Sequence, residues 1–433
     1  MAARMKILAS VQDWFFDAIS LGHDQTIRLV LELDGTLDVP RLRRALRHVL
    51  EAEPVLRCRY QSGIFRAYWR PREDADRLEV APELELCRLV PTDDARRDVH
   101  AFMAAGVDPR VDPLVQMGIF RAATDTVCVK VSHVAMDGAG MKKLVERLTT
   151  NYRALAVDPS SVLPADLALD RGQGQVLKAF PLRERLRAFF TQPFHEKRWH
   201  FPFLEGKPSE LTFSERAPAV RVPELRRRAK ARGATITDVL LTGFVQSVFE
   251  MTETPLDVPL PFTVAVDLRR FHDDPDSLGM CNLSSLAWIE VQRRKGAGFT
   301  DILSDVHAAF AATMADAPGV GLAMVMEIAS VLGCAAFVAG NRLRIRMARR
   351  EGREFPSLSN MGVFDATVAD FGHLRVTKGR FWGPVIFPPT FFIIVGSFED
   401  ELYFTASYPR SLVPADLIER MLDRIVAGID SLD

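Results

Sequence analysis

The stretch Lys130–Gly140 reads KVSHVAMDGAG and sets His133, Asp137 and Gly138 as His-x-x-x-Asp-Gly at a predicted strand-to-helix turn. Upstream, Thr126–Ser132 (TVCVKVS) alternates as a strand, with Val127, Val129 and Val131 on one face. Downstream, Met141, Leu144, Val145 and Leu148 recur at helical spacing. His133 therefore leaves the end of a strand, while Asp137 and Gly138 open the next helix. This arrangement presents an imidazole at a sheet end and turns a carboxylate inward four residues later. A lone histidine at a strand end is most often structural; the strand–turn–helix setting makes this one more than suggestive. Metal ligation by His133 and Asp137 finds no third ligand nearby in the sequence.

The chain has 433 residues, enough for two domains or one large unit with two cores. A hydrophobic share of 48% and a net charge of −1 describe an ordinary globular protein with no global pull towards nucleic acid. Cys58, Cys87, Cys128, Cys281 and Cys334 are widely spaced, odd in number and without a C-x-x-C. That pattern argues for a reducing compartment and against a disulfide framework or zinc site. The N-terminal MAARMKILASVQDWFF reaches Gln12 and Asp13 after too short an apolar run for a signal peptide, so the cytoplasm is expected.

Working outward, Ile27–Leu33 reads as an alternating strand, followed by a Gly35 turn and a helix capped by Asp38. Pro40 sits in its first turn, and Leu42, Leu46, Val49 and Leu50 mark its apolar face. A strand pair is expected around Cys58 and around Ile64–Trp69. Val157–Pro218 lacks sustained periodicity, which suggests a linker at 176–218 between an N-terminal half (1–175) and a C-terminal half (219–433). In the second half, Glu224–Arg232 reads as a basic helix ending at Gly233, and Thr237 is the expected cap of the next helix. Strands are expected near Leu260–Val266 and Leu283–Val291, and a hairpin over Phe391–Phe398 and Leu402–Tyr408 turns at Glu399-Asp400. The last helix buries Leu417, Ile418, Met421, Leu422, Ile425 and Ile429. Pro318–Gly340 is almost wholly apolar; Glu327 near its centre argues against a membrane span and for buried or tunnel-lining helices. A peripheral membrane contact is the alternative, because Arg342, Arg344, Arg346, Arg349, Arg350 and Arg353 follow directly.

The segment around His133 resembles the HHxxxDG motif of the acyltransferase superfamily that contains nonribosomal peptide condensation domains. Chloramphenicol acetyltransferase and the wax-ester and polyketide-associated acyltransferases belong to the same superfamily. The second His of that motif corresponds to His133, and Ser132 stands in place of the first. Four further segments carry the resemblance across both halves: Ala234–Val248, PFTVAVDLRRF (Pro261–Phe271), SLGMCNLSS (Ser277–Ser285) and LSNMGVF (Leu358–Phe364). ADFGHL (Ala369–Leu374) is similar to an element of the plant BAHD branch and reads here as a structural turn.

The resemblance implies an α/β fold of two chloramphenicol-acetyltransferase-like halves, a V-shaped pseudo-dimer with the active site at their interface. It implies that His133 is the general base and that Asp137 pairs with Arg269 to fix the loop, next to Gly138. Ser359, Asn360 and Asn282 are the expected substrate-binding residues. No nucleophile motif of the G-x-S-x-G type is present, which agrees with direct transfer. The expected activity is that of a stand-alone acyltransferase, moving an acyl group from acyl-CoA or an acyl carrier protein to an apolar alcohol or amine. No bound cofactor, metal or nucleic acid is expected, and the chain is expected to be a monomer. Arg226, Arg227, Arg228, Lys230 and Arg232 form a solvated face, with docking of an acidic carrier protein the lesser reading. The rival function is a catalytically silent condensation-like protein that docks carrier proteins or partner enzymes.

Overall fold

The computed structural model describes residues 6–432 apart from 21, 74–85, 163, 165–169, 197–198 and 253, so Met1–Met5 of the N-terminal stretch lie outside it. The chain begins with β1 (Ile7–Leu8), α1 (Val11–Ser20), β2 (Thr26–Leu33), α2 (Val39–Ala52), β3 (Cys58–Gln61) and β4 (Tyr68–Pro71). β5 (Cys87–Pro91), α3 (Ala95–Ala104), β6 (Val115–Arg121), β7 (Asp125–Ser132) and α4 (Gly138–Val157) follow. Next come α5 (Gly174–Leu177), α6 (Leu182–Phe190), β8 (Leu211–Arg216), α7 (Val222–Ala231), α8 (Ile236–Met251), β9 (Pro259–Asp267) and β10 (Ser284–Gln292). The chain closes with α9 (Phe299–Ala315), α10 (Val320–Ser330), α11 (Cys334–Glu351), β11 (Pro356–Phe364), β12 (Val376–Trp382), β13 (Phe391–Phe398), β14 (Glu401–Pro409) and α12 (Ala415–Asp430).

Two large sheets organise these elements. The first has the order β12-β2-β7-β6-β5 and the second β10-β9-β11-β13-β14-β8, with a small β1-β4-β3 sheet beside them. β2 and β7 are central and almost wholly buried. On one face Leu29, Leu31, Val127, Val129 and Val131 pack against α2 and α4. On the other, the buried cations Arg28 and Lys130 satisfy the end of α3: Arg28 Nε donates to Met103 O at 2.6 Å, and Lys130 Nζ to Phe102 O at 2.9 Å. Cations there meet the unpaired carbonyls and the negative end of the helix dipole. α2 starts as its sequence predicts, with Asp38 accepting from Arg41 N at 3.0 Å. In the second half α8 and α12 cover one face of the other sheet, and α12 buries the six residues predicted from its spacing.

Three expectations need correction. The cap of α8 is Thr235, which accepts from Asp238 N while the Asp238 carboxylate returns to Thr235 N; Thr237 already lies inside the first turn. The segment 176–218 is more than a linker. It holds α6 and also β8, which pairs antiparallel with β14 and completes the second sheet. Conversely, β12 crosses back and pairs with β2, and Phe364, Phe371, Phe381 and Phe398 fill the core of the first sheet. The third correction concerns Pro318–Gly340, which forms α10 and the start of α11 with a break between them. α10 buries Val320, Ala323 and Met326, but Ile328, Val331 and Leu332 are exposed, so the stretch is not wholly interior. Among the described residues no single helix is long and apolar enough to cross a membrane; only the bent pair α9–α10 passes on length and composition.

Candidate active site

His133 follows β7 directly and opens the five-residue connection, 133–137, that leads into α4. Its backbone N–H donates to Gln25 O at 2.7 Å, which fixes the turn against the start of β2. The partly exposed ring is stacked on Phe16 of α1, with centroids 3.8 Å apart and planes at 19°. Its Nδ1 lies 3.1 Å from Asn282 Oδ1. The Asn282 Nδ2 donates to the carbonyls of His133 (2.9 Å) and Val134 (3.1 Å). Two carbonyls can be met only by the amide nitrogen, so the amide oxygen must face the ring, and Nδ1 must carry the proton. Nε2 is then the free lone pair. Burial lowers the His133 pKa below its usual value; the Asp137 charge, the nearby carbonyls of His133 and Met136, and Asn282 only partly oppose this.

The Asp137 carboxylate makes no hydrogen bond to the ring among the described residues. It caps α4, its Oδ1 accepting from Gly140 N at 3.0 Å. Its Oδ2 accepts from Arg269 NH1 and from Leu283 N, both at 2.8 Å. Arg269 also donates to Cys281 O at 2.8 Å and to Asp267 Oδ1 at 3.2 Å. Burial opposes ionisation of Asp137, but the Arg269 guanidinium and the two backbone amides outweigh it and hold the carboxyl below the usual range. The pair thus ties the β7–α4 turn to the end of β9 and to the turn before β10. Gly138 has no left-handed backbone angle. What it admits is the Met361 side chain, whose end would collide with a Cβ there.

Of the remaining expected residues, Asn282 is fully buried, and both of its amide atoms hydrogen-bond to the His133 turn. Ser359 and Asn360 lie half-buried on β11. The Asn360 side chain accepts from Gly362 N at 2.8 Å, within its own turn, and neither residue hydrogen-bonds to His133 among the described residues. Ser132, in the place of the first motif His, is fully buried; its Oγ has no hydrogen-bond partner among the described residues. All five cysteines are buried, and no disulfide joins any two of them among the described residues. In the basic cluster of α7, Arg227 and Arg228 both pair with Glu224 at 2.7 Å.

Sequence reasoning missed a second buried ion pair. Arg171 Nε donates to Asp13 Oδ2 at 3.1 Å, and its other nitrogens reach Met280 O at 3.0 Å and Ala135 O. Trp69 Nε1 donates to the same Asp13 oxygen at 2.8 Å. One guanidinium therefore joins α1, the His133–Asp137 turn and the turn before Asn282. No sequence signal marks Arg171, because it stands in an aperiodic stretch.

With this geometry in view, residues 2–248 match the Condensation domain family, more than half of the chain, and the protein belongs to that family. No functionally curated protein matches the sequence. Three solved structures show the fold at low identity. The first condensation domain of the calcium-dependent antibiotic synthetase has a TM-score of 0.69 at 21% identity, covering 99% of this chain and 97% of its own. Polyketide synthase associated protein 5 from Mycobacterium tuberculosis has 0.66 at 14%, covering 99% of each. Trichothecene 15-O-acetyltransferase from Fusarium sporotrichioides has 0.69 at 12%, covering 99% and 95%. The fold is the α/β pseudo-dimer of chloramphenicol-acetyltransferase type, and family and fold support an acyl-transfer or condensation-like role in general terms.

Proposed function

We propose that this protein is an acyltransferase that moves an acyl group from a phosphopantetheine thioester, acyl-CoA or acyl carrier protein, to a hydroxyl or amine. The observation that carries this reading is the Asn282 amide, whose oxygen takes the proton on His133 Nδ1 and leaves Nε2 as the available base. Nε2 takes the proton of the acceptor as its oxygen or nitrogen attacks the thioester carbonyl. The tetrahedral oxyanion collapses, the C–S bond breaks, and the imidazolium returns the proton to the leaving thiolate. The thioester is already activated, so no acyl-enzyme is required.

A cleft adjoins elements that hold the His133 turn, and His133 itself does not line it. The cleft, of about 900 Å³, is walled by Ser20, Asp24, Phe203, Phe387 and Leu412, with Arg349 and Arg350 also lining it. It begins one turn of α1 beyond Phe16 and one residue before Gln25, whose carbonyl holds the His133 amide. Its volume suits a substrate-sized ligand.

The buried, unpartnered Ser132 at the first motif position favours the rival, a silent docking protein. A panel of acyl-CoA and carrier-bound donors, with hydroxyl and amine acceptors and products read by mass spectrometry, separates the two. His133→Ala is expected to reduce turnover by ~10²–10⁴-fold with the fold intact. Turnover equal to wild type in that variant, or no transfer by wild type with any donor, sinks the acyltransferase reading.

A further inference from the structure

A projecting apolar tip lies outside the acyl-transfer site. The loop between β3 and β4 and the turn between α10 and α11 run side by side, joined by Cys334 N to Phe65 O at 3.0 Å and Ala335 N to Ile64 O at 2.9 Å. Gly333, at φ 91°, permits the close approach; a Cβ there would lie 3.1 Å from the Ile64 carbonyl oxygen. Four large apolar side chains consequently project from one place: Ile64 is 73% exposed, Phe65 76%, Val331 84% and Leu332 75%. Single exposed apolar residues are ordinary, but a cluster of four on adjoining tips marks a contact surface.

α11 runs away from this tip with a divided surface. Cys334, Phe337, Val338 and Ala348 face inward. At 100° per residue, Ala336, Ala339, Leu343 and Met347 form the centre of the opposite, exposed face. Arg342 and Arg346 flank that row on one side and Arg344 on the other, and all three are exposed. Between Cys334 and Arg350 the helix carries five arginines and no carboxylate. Arg342 and Arg346 make no salt bridge among the described residues.

We propose that this tip and the outer face of α11 dock the protein on an anionic lipid bilayer. Ile64, Phe65, Val331 and Leu332 enter the boundary between headgroups and acyl chains, and Arg342 and Arg346 meet lipid phosphates. The apolar groups stand on projecting tips with cations on both flanks of the helical row, which complements a flat anionic surface. A symmetric contact with a second copy would instead set one arginine row against another. The inference holds independently of which acyl group or acceptor the site takes.

The test is flotation of the full chain with vesicles of phosphatidylcholine alone and of phosphatidylcholine mixed with phosphatidylglycerol. Binding is expected to the mixed vesicles and to weaken with added salt. Arg342→Gln with Arg346→Gln should lower affinity by about 25-fold, roughly fivefold per arginine. Phe65→Ser with Leu332→Ser should abolish flotation; all four positions are exposed, so circular dichroism should stay unchanged. Failure of the wild type to float with mixed vesicles overturns the proposal, as does flotation that neither pair of substitutions affects. So does a concentration-dependent dimer dissolved by Phe65→Ser with Leu332→Ser, which would give the face to a second copy.

Discussion

Asn282 has one amide oxygen and one amide nitrogen, and both are committed inside the protein. Because the nitrogen is held by two carbonyls, the oxygen sets the tautomer of His133, and burial sets the side of neutrality on which the ring titrates. The sign of the pH dependence follows. The base must be unprotonated, and a pKa lowered from 6.5 keeps it so through neutral pH, so kcat/KM should rise with pH and level off before pH 7. An acid limb centred above that ordinary value would contradict the assignment. Asn282→Asp puts a carboxylate on Nδ1 and stabilises the imidazolium, so the acid limb should move up by about 1–3 pH units. Asn282→Ala should lower kcat more than it raises KM, because the ring loses its orientation while substrate contacts remain. An unchanged pH profile in Asn282→Asp would remove Asn282 from the account.

Among the elements, Asp137 and Arg269 join the start of α4 to the end of β9 and the turn before β10. Asp137→Ala takes the closer of two carboxylates from a buried guanidinium and removes the cap of α4, which should cost about 3–5 kcal/mol in urea unfolding. Removing Arg269 as well should cost less than the sum of the single losses. Strict additivity would show that the pair is not coupled. A second joint lies between α6 and α10. Gly→Ala inside a helix ordinarily stabilises by about 1 kcal/mol. At Gly321, however, the new Cβ would meet Ala188 O at 2.5 Å and also the Gln192 side chain. The overpacking should win, and Gly321→Ala should destabilise by ~1–3 kcal/mol. A stabilised variant would mean that the helices are not so closely packed, and would leave room for the tunnel-lining role expected of Pro318–Gly340.

Across the whole molecule, β12 welds the two sheets: it comes from the C-terminal half yet pairs with β2 from Val376↔Leu33 to Trp382↔Arg28. Unfolding should therefore be one transition, coincident by far-ultraviolet circular dichroism and tryptophan fluorescence. Two separated transitions would show that the halves are independent. The same strand marks where the sequence stops being readable. VTKGRFW has weak alternation, and its partner lies more than 340 residues away, so nothing local reveals the pairing. By contrast β7, α2 and α12 were legible because the apolar residues of each recur on one face and its own spacing shows which. The motif showed His133 and Asp137, and the resemblance showed Arg269. Arg171 stayed hidden because its partners, Asp13, Ala135 and Met280, come from three distant segments. The break at Val331–Gly333 was masked by the apolar residues on both sides of it.

The central claim is that His133 enters the reaction as a neutral base protonated on Nδ1. The most direct measurement is a nitrogen-15 NMR titration of histidine-labelled protein, with His133→Ala identifying the resonances. The account predicts a neutral ring at pH 7 with the proton on Nδ1 and an unprotonated Nε2, persisting below pH 6.5. An imidazolium at pH 7, or a neutral ring carrying its proton on Nε2, would contradict it.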